Sequence, residues 1–300
     1  MQTVKPRKPL LALLMSLVLP GFGQIYNGEV NKGVWLIIGL AFVSVPGLAF
    51  LALYVPGRLM IVMLLAAVLA ALAIWVYAMA DAWHQSKRKQ DYVPERWQTS
   101  GFYALVLIAG NLVALPVLGG YVRAHFVESF RIPSTSMEPS VLRGDFLFAD
   151  KRYNCRGCKG RIARGDIAVF TYPNDRTQLN IKRIIALPGD HVRIEGRTVE
   201  VNERELGPPG VDAVAGDITE TSADGREWRV QWEELAGDPV IDLVVPPGEV
   251  FVLGDNRSFS RDSRHVGTVP MQDVVGRARQ VWFSRGPDGI RWGRLGKTLE

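Results

Sequence analysis

The chain has 300 residues, enough for about two ordinary domains, with 48% apolar residues, 22% charged residues and a formal net charge of +5. Its mean hydropathy of +0.08 lies between the soluble and membrane classes, yet residues 9–28, 33–57, 59–80 and 97–122 contain no Asp, Glu, Lys or Arg. This distribution excludes a purely cytosolic globular protein and a disordered chain, and it argues against a one-domain polytopic transporter, because most of the charge follows Tyr121.

In chain order, Lys5, Arg7 and Lys8 precede a short apolar run, 10–19, which Pro20-Gly21, Gln24 and Asn27 interrupt. No small-x-small cleavage site follows, so residues 9–26 read as an unprocessed span or a re-entrant half-helix rather than a signal peptide. Residues 34–54, 59–80 and 101–122 are predicted spans. A hydrocarbon core of about 30 Å takes about 20 helical residues, and these stretches are apolar on every face. Lys87, Arg88, Lys89 and Arg96 lie in the loop 82–100, whereas loop 55–58 has only Arg58. The positive-inside rule then puts 82–100 in the cytoplasm and everything from Arg123 outside it. The predicted organisation is a membrane module (1–82), a cytoplasmic loop (83–100), an anchor (101–122) and an extracytoplasmic domain (123–300). The segment PGFGQIYNGEVNKGVW, with DAWHQSKR further on, resembles the small membrane module called the TM2 domain over roughly residues 8–88. That resemblance implies no chemistry, and its Gly and Pro residues admit close helix packing.

After the anchor the pattern changes to short runs of strand length. They are DFLFAD (145–150), DIAVFTY (166–172), HVRIEG (191–196), TVEVN (198–202), EWRVQW (227–232), VIDLVV (240–245), EVFVLGD (249–255) and DVVGRARQVWF (273–283). Alternation, β-branched residues and frequent turn residues predict a mainly-β domain of antiparallel sheets, closed or packed on each other. Nothing repeats at a fixed period. Cys155 and Cys158, the two cysteines, could close a local ring or remain thiols; a zinc site would need a second pair.

Four histidines occur, His84, His125, His191 and His265, and no pair has metal-ligand spacing, so neither a metal nor a cofactor is expected. His265 follows Asp262 and Ser263, but triad members normally meet through the fold, not through adjacency. Three other clusters are denser. Arg131-Ile-Pro-Ser-Thr-Ser-Met-Glu-Pro-Ser140 has prolines that restrict its backbone, and an extended segment would turn Ser134 and Ser136 toward one site. Read alone, it is equally a Ser/Pro linker. Lys182, in IKRIIALPGD (181–190), has apolar neighbours; desolvation would lower its pKa from about 10.4 toward neutrality, although many such lysines only snorkel. GDNRSFSRDSR (254–264) is dense in hydrogen-bonding groups directly after a strand, and by itself reads as a surface turn.

Together these clusters resemble the bacterial type I signal peptidase (leader peptidase) family. The matching parts are PSTSMEPSVLRGD (133–145), RGDIAVF (164–170), IKRIIALPGD (181–190) and GDNRSFSRDSRHVGTVP (254–270), in the family's order, behind an anchor of the family's orientation, over about residues 101–285. The resemblance implies a membrane-bound serine endopeptidase with an all-β catalytic fold, which removes N-terminal signal peptides by a Ser-Lys dyad through an acyl-enzyme. Carried over residue by residue, it makes Ser136 the nucleophile and Lys182 the general base, and gives the Ser134 hydroxyl and the Ser136 N–H to the oxyanion. It makes Ser260 the serine that holds the lysine amine, and Asp262 with Arg264, and Arg183 with Asp255, ion pairs near the site. Asn256 is assigned no role. The eukaryotic-type relatives have histidine at the position of Lys182. Ser140 stands where the family often has Thr; the Cys155–Cys158 insertion, the region 195–245 and the N-terminal module lie outside the family's motifs.

The implied partners are preproteins with small residues before the cut, adding as a strand along a sheet edge. Met137 and Phe130 either contact them or pack under the serine loop. Membrane lipids are the second partner: the basic residues are dispersed, which favours anionic headgroups over nucleic acid. The expected location is the bacterial cytoplasmic membrane, multi-pass, with the catalytic domain outside. A relative that matures one dedicated substrate, such as a conjugative pilin, would share the dyad, and an inactive scaffold would share the boxes.

Overall fold

The structure, a computed structural model, describes residues 4–154, 162–207, 216–232 and 240–299. Cys155 and Cys158 lie outside the described residues, so the expectation of a local ring or thiol pair does too. Chain contacts divide the protein into two units, one of residues 1–55 and 59–124 and one of residues 56–58 and 125–300.

The first unit is helical. Helices Val30–Tyr54, Gly57–Arg88 and Ser100–His125 are each long and apolar enough to cross a membrane. They take in the three predicted spans. The helix Pro9–Val18 has 10 residues, about 15 Å at 1.5 Å per residue, which falls short of a span. Its successor, Phe22–Tyr26, begins after Gly21 at φ 98°. A Cβ on Gly21 would lie 2.2 Å from the Gly33 carbonyl oxygen, and one on Gly23 would lie 2.2 Å from that of Ala12, so these glycines let the helices meet backbone to backbone. The polar residues that break the first apolar run turn inward. Gln24 donates to the Ala78 carbonyl at 2.8 Å and Asp81 at 3.0 Å, and Asn27 donates to the Ala82 carbonyl at 2.8 Å. Lys32 pairs with Asp81. These contacts fall where the charge-free run ends, and the helix continues past them to Arg88, into the segment 83–100 read as loop. Inside Val30–Tyr54, Pro46 lacks the N–H that an α-helical bond requires, and residues Val43–Gly47 widen into a π-helical turn.

The second unit is mainly β among the described residues. Its strands are β1 (Val127–Arg131), β2 (Asp145–Asp150), β3 (Ile167–Thr171), β4 (Leu179–Ala186), β5 (His191–Glu195), β6 (Thr198–Val201), β7 (Arg204–Glu205), β8 (Gly216–Thr221), β9 (Glu227–Trp232), β10 (Ile241–Val244), β11 (Glu249–Leu253), β12 (Val269–Pro270), β13 (Val274–Gly286) and β14 (Gly289–Ile290). The large sheet runs β1-β2-β13-β3-β4-β11-β12, with β14 on β13; a smaller sheet runs β10-β5-β6-β7; β8 and β9 form a hairpin. Among the described residues, every pairing between these strands is antiparallel. The fold is therefore of the class expected: membrane-capable helices, then antiparallel sheets.

β2 and β9 coincide with DFLFAD and EWRVQW, and their residues alternate between more and less buried positions as half-buried strands require. β4 lies outside the runs that the sequence predicts as strands. Six of its eight residues are buried in succession, because one of its faces packs with Ile181 in a core containing Ile132, Met137, Val141 and Leu147, while Ile185 and Ala186 join a core around Trp228 and Trp232. A strand covered on both faces loses its alternation. Met137 is fully buried in the first core, with Phe130 packed against it, so packing under the serine loop accounts for both.

Candidate active site

The serine segment is a closed loop. The Ile132 N–H donates to the Asp145 carbonyl at 2.9 Å, and the Gly144 N–H donates to the Ile132 carbonyl at 2.8 Å. Arg294 donates to the Asp145 carboxylate and to the Ser140 carbonyl at 3.0 Å, tying the loop's far end to the C-terminal segment. Within this frame Ser136 is buried while Ser134 is exposed, and their hydroxyl oxygens are 3.2 Å apart.

β4 delivers the amine. In the register of β3 with β4, Ala168 faces Lys182 and Ile167 faces Arg183. Consecutive strand residues point to opposite faces, so two adjacent cations serve two places. Lys182 reaches Ser136, with 2.7 Å between Nζ and Oγ. Burial pulls the Lys182 amine down to about 8; Asp262 and Asp255 oppose this, and Arg264 adds to it. Arg183 turns the other way into a two-pronged pair with Asp255, at 2.8 and 2.7 Å, with both side chains almost wholly buried. It also donates to the Gly165 carbonyl at 2.6 Å and to the Ser140 hydroxyl at 3.2 Å. The bond to Ser140 asks only for a hydroxyl, which explains why Ser can stand where Thr is common.

The loop after β11 closes the site. Asp262 accepts from Arg264 at 2.9 and 3.0 Å and from the Gly254 N–H at 3.0 Å. Burial alone would raise the Asp262 carboxyl, but these bonds and the Arg264 charge hold it below the usual carboxylate range. Gly254 is a point of close approach. A Cβ there would stand 2.1 Å from the Ser260 hydroxyl and 2.5 Å from the Ser136 carbonyl oxygen. The Ser260 side chain is buried, and among the described residues Lys182 bonds to Ser136 rather than to Ser260.

Asn256, given no role from sequence, holds the main chain of the serine loop. Its N–H donates to the Ser136 carbonyl at 3.1 Å and its side-chain amide to the Thr135 carbonyl at 3.3 Å. Its place in the dense 254–264 cluster was the available signal. Arg257 and Glu220, a buried pair beside this loop, were also missed; Glu220 lies in a strand where acids ordinarily face water. His265 is exposed, and no group of three metal-ligating side chains occurs among the described residues.

A buried hydroxyl hydrogen-bonded to an amine of lowered basicity, beside a second hydroxyl, can form and release an ester without histidine or metal. Antiparallel sheets following membrane-capable helices, with such a pair inside them, describe a membrane serine peptidase. Comparison with known proteins is specific. The family model described as "Signal peptidase, peptidase S26" matches residues 103–283. The signal peptidase I of Rickettsia typhi (strain ATCC VR-144 / Wilmington) is 31% identical over 200 residues, covering 54% of this chain and 74% of its own. That of Pseudomonas fluorescens is 34% identical over 192 residues, covering 54% and 67%. A crystal structure of a signal peptidase I from Enterococcus faecalis V583 matches 39% of this chain and 96% of its own at 29% identity and a TM-score of 0.27. The chain belongs to the signal peptidase S26 family and is an inner-membrane serine peptidase that cleaves signal peptides from preproteins.

Proposed function

We propose that Ser136 and Lys182 are the reacting pair of this peptidase. The 2.7 Å contact between their side chains, inside the domain and away from water, carries the reading. Neutral Lys182 takes the Ser136 proton as Oγ attacks the scissile carbonyl carbon, producing an oxyanion. Collapse breaks the C–N bond, Lys182 returns the proton to the leaving amine of the mature chain, and the signal peptide remains as an ester on Ser136. Lys182 then deprotonates a water, which attacks the ester carbon, and as the C–Oγ bond breaks Lys182 returns that proton to Oγ, releasing the signal peptide as its carboxylic acid. The Ser136 N–H and the Ser134 hydroxyl stabilise the oxyanion. Ser134→Ala is expected to lower kcat by roughly 10²- to 10³-fold with little change in KM, measured by steady-state cleavage of a preprotein. An equal kcat would remove Ser134 from this role.

The pairs Asp262–Arg264 and Arg183–Asp255 fix the surroundings of the amine, and Ser260, which lies against Gly254, is the serine assigned to hold the amine in place. Lys182 acts as a base in its neutral form, so kcat/KM should rise with pH to a midpoint near 8, where the group loses its proton. A flat profile from pH 6 to 9 would contradict this assignment.

Residues 1–82 form a membrane module, 83–100 face the cytoplasm, 101–122 are the anchor and 123–300 lie outside, in a multi-pass arrangement. The substrate's cleavage segment adds as an extended strand, with small residues before the cut, while its apolar segment and the surrounding lipids hold it near the site at high effective concentration. The direct test compares cleavage of a preprotein with its variant bearing bulky residues before the cut. Protease added outside spheroplasts, which should digest 123–300, tests the orientation.

A further inference from the structure

Three arginines near the site, Arg183, Arg257 and Arg264, are buried. A buried guanidinium needs a carboxylate, because an uncompensated charge in the interior is strongly unfavourable. Asp255 and Asp262 serve two of them and belong to the same box as Arg257 and Arg264. The third carboxylate is Glu220, on β8, within the region 195–245 that lies outside every family box. Glu220 is buried and accepts from Arg257 Nη2 and, at 2.9 Å, from the indole N–H of Trp228, its cross-strand neighbour on β9.

The hairpin reaches the nucleophile by two short routes. Through side chains, Arg257 Nε donates to the Gly254 carbonyl at 3.0 Å, and Gly254 abuts the Ser136 carbonyl oxygen. Through the main chain, the Gln231 N–H on β9 donates to the Asp255 carbonyl at 2.8 Å, and its own carbonyl accepts from the Arg257 N–H at 2.9 Å. These two bonds bracket Asn256, whose N–H holds the Ser136 carbonyl. The tryptophans of β9 also lie over the cations, Trp228 beside Arg183 at 5.1 Å and Trp232 beside Arg257 at 5.7 Å.

We propose that Glu220 is a positioning residue for signal-peptide cleavage: by holding Arg257, it locks the β8–β9 hairpin to the 254–257 loop and so sets the main chain of Ser136. The inference rests on Ser136 and Lys182 being the reacting pair. It predicts an effect on turnover rather than on substrate affinity, since the contacts end at the nucleophile's backbone.

The test uses the full chain in detergent, with kcat and KM measured on a preprotein and thermal unfolding followed in parallel. E220Q keeps an acceptor for Trp228 but removes the charge facing Arg257. It is expected to lower kcat of the folded protein by roughly tenfold or more, because small misplacements of reacting groups have effects of that order, while KM stays within about twofold. E220D, which restores the charge, should recover part of the loss. Asp217→Asn, at an exposed acid on the same hairpin, should leave kcat unchanged. A normal kcat for folded E220Q overturns the proposal even if its unfolding temperature drops. If E220Q does not fold, E220D decides alone, by a lower kcat at constant KM or by none. Ser136→Ala is run alongside: retained cleavage there refutes the dyad reading itself, whereas its loss together with a normal E220Q kcat refutes only the role of Glu220.

Discussion

Lys182→Met is expected to reduce signal-peptide cleavage by at least roughly 10⁴-fold, the scale seen when a general base is removed from a hydroxyl nucleophile, and to make the folded domain more stable. The two effects share one cause. Burial has moved the Lys182 amine from 10.5 to about 8. At pH 7 the lysine is protonated in both folded and unfolded chains, and holding that charge in the interior costs roughly 3 kcal/mol, at 1.36 kcal/mol per pKa unit. Methionine occupies much of the same space without a charge. Between about pH 8 and 10.5 the unfolded chain binds more protons than the folded one, so wild-type stability rises with pH across this window. The advantage of Lys182→Met should therefore be full at pH 7 and largely gone above pH 10, as read from denaturant unfolding at both values. An advantage independent of pH would mean that packing, not charge, explains it. On the proposed dyad, function is placed on a residue that weakens the fold.

Asp255→Ala is expected to have the largest effect on stability, about 3–5 kcal/mol, because it leaves the Arg183 guanidinium buried and uncompensated. Arg183 would keep the Gly165 carbonyl and the Ser140 hydroxyl as acceptors, but these are neutral. Asp255 is also one of the carboxylates that favour the protonated form of Lys182. Removing it should move the acid limb of kcat/KM to lower pH in whatever protein remains folded. Unfolding and the pH profile of the same preparation check both effects. An unshifted limb with a large loss of stability would confine Asp255 to support of Arg183.

The strands that could be read from sequence are those with one face on a core and one toward solvent. β2 and β9 were legible to their end residues because burial alternates along them. β4, which carries Lys182, was hidden for the opposite reason, being covered on both faces. The spacing of Ser134 and Ser136 places both hydroxyls on one side, and composition cannot rank them. The fold does so by burying Ser136 beside the amine and leaving Ser134 in the open. The break after Leu19 was visible, but the destination of Gln24 and Asn27 was not, because their acceptors lie more than fifty residues away on another helix. Glu220 had no sequence signal at all: its burial comes from a guanidinium supplied by a distant loop.

The pairing of Ala168 with Lys182 and Ile167 with Arg183 ties chemistry to strand alignment. If β4 slipped by one residue, either the Arg183 guanidinium or the Ile181 side chain, according to the direction, would stand before Ser136 in place of the amine, and neither is a base. Guanidinium does not give up its proton in the range where proteins survive, so the misaligned chain would be inert rather than slow. With Ser136 and Lys182 as the proposed reacting pair, hydrolysis by this domain is a readout of the β3–β4 register: a molecule that turns over has Lys182 opposite Ala168.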